Sequence, residues 1–174
     1  GVEGEEALGL MQALLQRPDF QKAAAALGLS FTLSPTFRHI GILRGPVPKE
    51  AAFDLTEPHN VLDQPIAPHG PRGFLAGEIR ELMELSYQIL KKHPINEARR
   101  ARGLLPANMI WPWGPGRAIR LPSFREKYGH HGSVISAVPL VWGIAALAGL
   151  KTPRVAGATG DLDTNYEGKV EAAL

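Results

Sequence analysis

The sequence predicts an α/β fold, and three observations point to that class. Apolar residues at helical spacing run through several segments, most clearly over 74–92. Short apolar runs bounded by turn residues predict strands, at residues 29–33, 38–43, 108–113, 133–137 and 154–156. The last three of these alternate with helix-like segments, which is typical of parallel strands joined by right-handed crossovers.

Two helices and two short strands are predicted in the first quarter of the chain. Apolar spacing places the first helix over 5–15, and Pro18 suits the first turn of a second helix that stops at Gly28. The two strands that follow would be joined through Ser34–Pro35. The stretch from 45 to 73 has six prolines and no visible period, which predicts an irregular loop.

The rest of the chain is predicted to alternate between helices and buried strands. The long helix over 74–92 would stop at His93–Pro94, and Asn96 would cap a short basic helix after it. Further helices are predicted at 138–148 and 165–174. Because three strands with two open edges seldom form a finished sheet, we expect residues 107–174 to be the middle of a larger parallel sheet.

Composition and charge exclude several classes of function. The chain has 174 residues with 19 Lys and Arg against 17 Asp and Glu, a net charge of +2, which argues against a nucleic-acid binder. The absence of cysteine excludes disulfides, thiolate-bound metals and a thiol nucleophile. No apolar run reaches the roughly 18 residues of a membrane span and no signal-peptide pattern is visible, so we expect a cytoplasmic chain with no membrane partner.

Three clusters of polar residues are candidates for chemistry, each with a plainer alternative. Arg38–His39 could grip an anion and donate a proton, or could be a surface arginine beside a packed histidine. The loop 54–60, which contains His59, could hold a metal ion, but it lacks a helical metal-binding spacing, so a hydrogen-bonded loop is the better interpretation. Asn96 and the arginines that follow it as far as Arg102 would suit a phosphate, or would form a solvated helix face.

Two glycine-rich turns follow predicted strands. The run from Trp111 to Gly116 would form either the wall of a site or plugs of the core, and Arg117 just beyond it is the more suggestive residue. The turn from Gly157 to Thr164 matches neither the phosphate-loop nor the dinucleotide-binding pattern, so it is interpreted as a tight turn before a helix. Spacing alone therefore predicts a phosphate-handling α/β chain.

Motifs in a fixed order give the chain a resemblance to a known family. They are the runs His93–Arg99, Pro106–Gly116, Leu121–Gly129, Val134–Val138 and Gly157–Lys169, together with Arg38–His39 and Glu57–His59. Read together they resemble the cofactor-independent phosphoglycerate mutases of the archaeal type and their bacterial relatives, some of which are named as proposed homoserine kinases. The resemblance spans nearly the whole chain and is strongest from His93 onward.

The resemblance implies parts of two domains of an alkaline-phosphatase-like enzyme. Residues 1–106 would be an inserted α/β substrate-binding domain, and residues 107–174 would be the central part of the parallel sheet of the metal-binding domain. In this family a serine is transiently phosphorylated beside two divalent metal ions, manganese or zinc. The resemblance places that serine and the metal ligands outside the printed sequence, so we expect a fragment that holds no metal and is inactive by itself.

The resemblance also implies site residues and a substrate. Lys127 and Arg117 would be catalytic, with Lys127 beside the transferring phosphoryl group. The substrate-binding residues would be Arg38, His39, His59, Asn96, Arg99 and Asn108. The arginine and lysine side chains in this set are suited to a phosphoglycerate, which carries a carboxylate and a phosphate. The implied reaction interconverts 3-phosphoglycerate and 2-phosphoglycerate in glycolysis, with a homoserine kinase-type phosphotransferase and a non-catalytic phosphate-binding module as alternatives.

Overall fold

A computed structural model describes residues 2–34 and 36–174, so that Pro35 of the predicted Ser34–Pro35 connection lies outside the described residues. The backbone divides into two compact units, which we call the N-terminal unit (Gly1–Gly116) and the C-terminal unit (Arg117–Leu174). Within the part of the chain that the structure describes, no helix is both long and apolar enough to cross a membrane. The domain boundary at residue 106 stays a prediction.

The first two predicted helices are confirmed. Helix α1 spans Gly4–Leu15, and α2 spans Pro18–Ala26 with its proline in the first turn. Gly28 ends this pair, because its φ is +69° and a Cβ there would lie 2.1 Å from the carbonyl oxygen of Arg44. No other residue type fits so close an approach of two backbones.

Two small antiparallel sheets follow. Strands β1 (Leu29–Thr32) and β2 (Ile40–Leu43) pair as predicted, with Leu29 opposite Leu43. Strands β3 (Phe53–Asp54) and β4 (Arg72–Gly73) pair across the base of the predicted loop, a contact that the sequence pattern did not indicate. The rest of that loop is irregular, as predicted, apart from two short 3₁₀ turns.

Two helices complete the N-terminal unit. Helix α3 (Ala76–Leu90) is the predicted long amphipathic helix. Helix α4 spans Pro94–Ala101, and the prediction that Asn96 caps it is wrong. The N-cap is His93, whose Nδ1 accepts a hydrogen bond from the N–H of Ile95 at 3.3 Å. Proline favours the first helical position, so Pro94 starts the helix three residues earlier than an Asn96 cap would and leaves Asn96 inside it.

One hydrophobic core holds the N-terminal unit together. Its buried members come from α1, α2 and α3 and from the residue that opens the described chain, and they are Val2, Ala7, Leu10, Met11, Leu14, Phe20, Ala24, Leu82 and Leu90. Phe20 also stacks at a tilt against Phe31 of β1, with 6.0 Å between the ring centroids. The helical spacing in the sequence therefore indicated the packing faces of α1 and α3.

The C-terminal unit contains three short helices. They are α5 (Phe124–Tyr128), α6 (Pro139–Leu147) and α7 (Tyr166–Glu171). The last two were predicted. The first was not, although Ser123 and Glu126 form a capping box with reciprocal side-chain-to-backbone hydrogen bonds of 3.1 and 2.9 Å.

The predicted buried strands at 108–113, 133–137 and 154–156 are wrong. Among the described residues, the backbone pairing in these segments is a single parallel bridge between Ser133 and Lys151. A strand exists only where a neighbouring backbone takes up its N–H and C=O groups, and beyond that one bridge no described residue does so for these segments. The chain contains both helices and sheets, which agrees with the predicted α/β class at that coarse level.

Candidate functional site

A buried amide holds residues 104–110 against helix α4. Asn96 is 0% exposed, and its Nδ2 donates to the carbonyls of Leu90 and Ala107 at 2.9 and 3.0 Å. Its Oδ1 accepts the N–H of Ala107 at 2.9 Å. The side chain therefore has no exposed atom to offer a ligand, and its role in this structure is to fix the backbone after α4.

A second buried polar group, on helix α3, attaches the same segment of backbone to that helix. Ser86 is 0% exposed; its hydroxyl donates to the carbonyl of Met83 at 2.6 Å and accepts the N–H of Ile110 at 3.0 Å. Sequence reasoning missed Ser86. The available signal was a small polar residue in the apolar stripe of an amphipathic helix, where an unpaired hydroxyl would be costly.

The tryptophan-rich run is attached in turn to the loop that contains His59. The indole N–H of Trp111 donates to the carbonyl of Thr56 at 2.8 Å, and the ring of exposed His59 meets that of Trp113 edge to face at 5.3 Å. The structure thus brings together two of the motifs that carry the resemblance. The two alternatives for this run, a core plug and the wall of a site, each fit one tryptophan, because Trp111 is half-buried while Trp113 is exposed.

A cavity of about 600 Å³ lies beside helix α3, and Asn108 is the predicted site residue that reaches it. Its lining comes from α3, from the loop before that helix and from the segment that Asn96 and Ser86 hold in place. The lining residues are Ile66, Ala67, Gly70, Pro71, Arg80, Met83, Glu84, Tyr87, Asn108 and Met109. Sequence reasoning missed the cavity because the loop residues have no period that would reveal where they fold.

Arg99 is used in an ion pair rather than in an open basic surface. The side chain is largely buried, and its Nη1 donates to Oε2 of Glu6 at 2.5 Å while its Nε donates to the carbonyl of Leu105 at 2.9 Å. Arg102 pairs with the other oxygen of the same carboxylate. Hydrogen bonds from Arg99 and then Arg102 hold the pKa of Glu6 below its usual value, despite partial burial.

Arg38 and His39 lie in the turn between β1 and β2. Arg38 is exposed, with its guanidinium 4.5 Å from the centre of the Phe37 ring. His39 is half-buried, and burial lowers its pKa. Its Nδ1 accepts the N–H of Ser34 at 3.2 Å, so the neutral ring carries its proton on Nε2. This pair fits the plainer alternative, a surface arginine beside a packed histidine, and still presents one cation to solvent.

The two predicted catalytic residues belong to the C-terminal unit. Lys127 is exposed on α5, with its Nζ 5.3 Å from the centre of the Tyr128 ring, and Arg117 is also exposed. The glycine-rich turn before α7 is held internally, because the hydroxyl of Thr164 bonds both the N–H and the carbonyl of Thr159 at 2.9 and 3.1 Å. This agrees with the interpretation of a structural turn.

A comparison with models of protein families shows which family this chain belongs to. A family model described as 2,3-bisphosphoglycerate-independent phosphoglycerate mutase matches residues 2–96. The chain belongs to this family. The match covers most of the N-terminal unit, including the core and Asn96 but not the tryptophan-rich run, so family membership rests on a part of the chain where the motif resemblance was weaker.

Relatives extend the mutase match over the rest of the chain. A probable mutase from Geobacter sulfurreducens is 41% identical over 173 residues, which are 99% of this chain and 40% of that protein. A mutase from Methanothrix thermoacetophila is 46% identical over 139 residues, 80% of this chain and 34% of its own. The chain therefore spans well under half the length of these relatives.

Among solved structures, a cofactor-independent phosphoglycerate mutase from Thermoplasma acidophilum overlaps 92% of this chain and 45% of its own, with a TM-score of 0.48 and 23% identity. The PH0037 protein from Pyrococcus horikoshii overlaps 57% of this chain and 26% of its own, with a TM-score of 0.49 and 34% identity. Overlaps at this level do not establish a shared fold, and the family assignment does not depend on them.

Proposed function

We propose that this chain is part of an isomerase that interconverts 3-phosphoglycerate and 2-phosphoglycerate through a phosphoserine intermediate, in the cytoplasm and within glycolysis. The observation that carries the proposal is the 41% identity with the probable mutase from Geobacter sulfurreducens along 99% of the chain. A match of that extent includes the motifs of both compact units, so the same parent enzyme accounts for both.

The proposal assigns residues 1–106 to a substrate-binding insertion and residues 107–174 to the centre of a phosphatase-like sheet. Large exposed apolar side chains on α6 support the second assignment, since Leu140, Ile144 and Leu147 are 72%, 53% and 51% exposed. Isolated soluble domains seldom leave so continuous an apolar helix face open. In the parent enzyme such a face would be covered by further layers of the same domain.

The site residues divide into those that hold the backbone and those that can reach a substrate. Asn96 and Arg99 are buried and bonded within the chain, so under this proposal they position the segment that contains Asn108. The proposal assigns binding of a carboxylate or a phosphate to the exposed groups Arg38, His59, Arg117 and Lys127, with the half-buried His39 and Asn108. Arginine suits such groups because its planar N–H pairs match two oxygens at once.

The residues of this chain do not fit the pair of divalent metal ions that the resemblance implies. Within residues 2–34 and 36–174, no three His, Asp or Glu side chains come together as a metal ligand set. We therefore assign no step of the reaction to a metal held by this chain. Its contribution under the proposal is to bind and orient the anionic substrate.

The test is a mutase assay of the full-length parent protein, with 3-phosphoglycerate as substrate and enzymatic detection of 2-phosphoglycerate. We expect turnover by the full-length protein and none by the 174-residue chain. ATP-dependent phosphorylation of homoserine by the full-length protein, without mutase turnover, would replace the proposal with the kinase alternative. Mutase turnover by the 174-residue chain would show that the residue roles assigned above are wrong.

Substitution of Arg117 tests the assignment of this cation in the full-length protein. Arg117→Ala should lower kcat/KM by at least about tenfold, because a charge-assisted bond to a substrate anion is lost. Arg117→Lys should lower it less, since the charge is kept and the bidentate geometry is not. Arg125→Ala is the control, because Arg125 is exposed on α5 and is not among the predicted site residues. Equal kinetics for Arg117→Ala and Arg125→Ala would refute the role of Arg117.

A further inference from the structure

The cavity beside α3 presents four side chains of one helix face. Arg80, Met83, Glu84 and Tyr87 line it and follow the spacing i, i+3, i+4 and i+7, which places them on adjacent turns of the same side. None of them is among the site residues that the resemblance implies. The loop before α3 covers part of this face and leaves the cavity partly open to solvent.

The two charged residues of this face are not paired with each other. Arg80 uses one N–H to donate to the carbonyl of Pro71 at 2.7 Å, and Glu84 accepts one bond from Gln88 at 2.5 Å. Among the described residues neither forms an ion pair, which leaves further donors on Arg80 and the second carboxylate oxygen of Glu84 available. An arginine that precedes a glutamate by four positions is the weaker order for a helical ion pair.

The charge of the lining selects the chemistry of a ligand. Arg80 and Glu84 are the one cation and the one anion among the lining residues, so the formal charge of the cavity is zero. A phosphoglycerate carries a carboxylate and a phosphate of about −2 charge, and Glu84 would repel it. A molecule with one carboxylate and one ammonium group a few bonds apart would satisfy both residues at once.

We propose that this cavity binds an apolar α-amino acid. Its carboxylate accepts hydrogen bonds from Arg80, its ammonium group donates to Glu84, and its side chain packs against Met83 and Met109. Thioethers are flexible and polarisable and adapt to side chains of different shape, so the site selects the amino-acid head group more strongly than one side chain.

Two neutral polar groups complete the site. In the described part of the chain, neither the Tyr87 hydroxyl nor the Asn108 side-chain amide forms a hydrogen bond to another residue, and both line the cavity. They can take up the remaining oxygen and N–H of the ligand head group, or bind water in its absence. Because Asn96 and Ser86 fix the segment around Asn108, the site is built before the ligand arrives.

Isothermal titration of the 174-residue chain with L-leucine tests the proposal directly. Two matched ligands isolate the head group, since 4-methylpentanoate lacks the ammonium and isopentylamine lacks the carboxylate. We expect L-leucine to bind and both analogues to bind at least about tenfold more weakly, since each loses one charge-assisted interaction. Equal binding by either analogue, no binding of L-leucine at millimolar concentration, or displacement of L-leucine by 3-phosphoglycerate would overturn the assignment.

Variants then locate the bound amino acid. Glu84→Gln keeps the shape of the side chain and should weaken L-leucine binding about tenfold or more, whereas Glu81→Gln, on the same helix but not lining the cavity, should leave it unchanged. Arg80→Lys keeps the charge and should weaken binding by a smaller factor. Thermal unfolding of each variant confirms that it is folded. Equal effects of the two glutamine variants would place the ligand elsewhere and refute the proposal.

Discussion

The two compact units of this chain differ most in what they bury. The N-terminal unit encloses a continuous core in which Leu14, Phe20 and Leu82 are 0% exposed. In the C-terminal unit, all of whose residues are described, Ala145 is the one residue in the buried class. The N-terminal unit therefore has its own source of stability, while the C-terminal unit is held mainly by turns, caps and local hydrogen bonds.

The same difference applies to the polar residues that the resemblance implies. In the N-terminal unit Asn96 and Arg99 are buried and bonded to the backbone, and they hold other segments in place. In the C-terminal unit Arg117 and Lys127 are exposed. A motif residue in a well-packed region can thus hold the backbone around a site, whereas an exposed motif residue in a thinly packed region can contact a ligand directly.

Matched leucine substitutions test the contrast in packing with the largest expected effect. Leu14→Ala leaves a cavity in the core and should lower the free energy of unfolding by about 2–5 kcal/mol. Leu140→Ala, at a residue that is 72% exposed in the C-terminal unit, should change it by about 0.5 kcal/mol or less. Urea unfolding followed by circular dichroism measures both. A loss for Leu140→Ala as large as that for Leu14→Ala would show that α6 is packed in solution.

Substitution of Asn96 tests whether the buried amide is part of the architecture. Asn96→Ala removes three hydrogen bonds and takes away the partner of both the N–H and the carbonyl of Ala107, while the Leu90 carbonyl keeps the N–H of His93. It should therefore cost about 2–4 kcal/mol of unfolding free energy. Asn60→Ala is the control, because that exposed side chain bonds only to Glu57 among the described residues. A cost below about 0.5 kcal/mol for Asn96→Ala would contradict the structural role.

The elements that local sequence determines were the ones predicted correctly. Apolar spacing located α1 and α3, and proline in the first turn located the starts of α2 and α6. The strands at 133–137 and 154–156 were wrong, because strand formation depends on a partner that can be far away in sequence. The capping box of α5 was a local signal that could have been read from Ser123 and Glu126.

The candidate site was predictable in its residue types and not in its geometry. Motifs pointed to His59, Asn108 and the tryptophan-rich run, and the structure joins the first and last of these through the Trp113 ring. The burial of Arg99 could not be predicted, since its partner Glu6 lies 93 positions away in the chain. Arg80 and Glu84 of α3 stay exposed in the structure, and the loop that forms a cavity beside them has no period from which its position could be predicted.

Two tryptophans allow one kind of hydrogen bond, from an indole N–H to a backbone carbonyl, to be compared in both units. Trp111→Phe removes the indole bond to Thr56 in the N-terminal unit, and Trp142→Phe removes the 2.7 Å bond to the carbonyl of Ser136 in the C-terminal unit. Each should cost about 1 kcal/mol. Hydrogen exchange should report loss of protection near residue 56 for the first variant and near residue 136 for the second. Loss of protection in both units from either variant would contradict this local assignment.

The smallest effect concerns acid stability and tests the partly buried ion pair between Glu6 and Arg99 in the N-terminal unit. The folded-state pKa of Glu6 is held below its usual value of 4.5, so its carboxylate stabilises the fold above that value. This contribution is lost as the pH falls through the lowered pKa. Glu6→Gln should therefore unfold with a shallower dependence on pH than the parent chain between about pH 5 and pH 3, as measured by urea midpoints. Glu5→Gln, at the neighbouring exposed carboxylate, should keep the parent's dependence of stability on pH. Identical curves for Glu6→Gln and the parent chain would show that Glu6 does not cause this dependence.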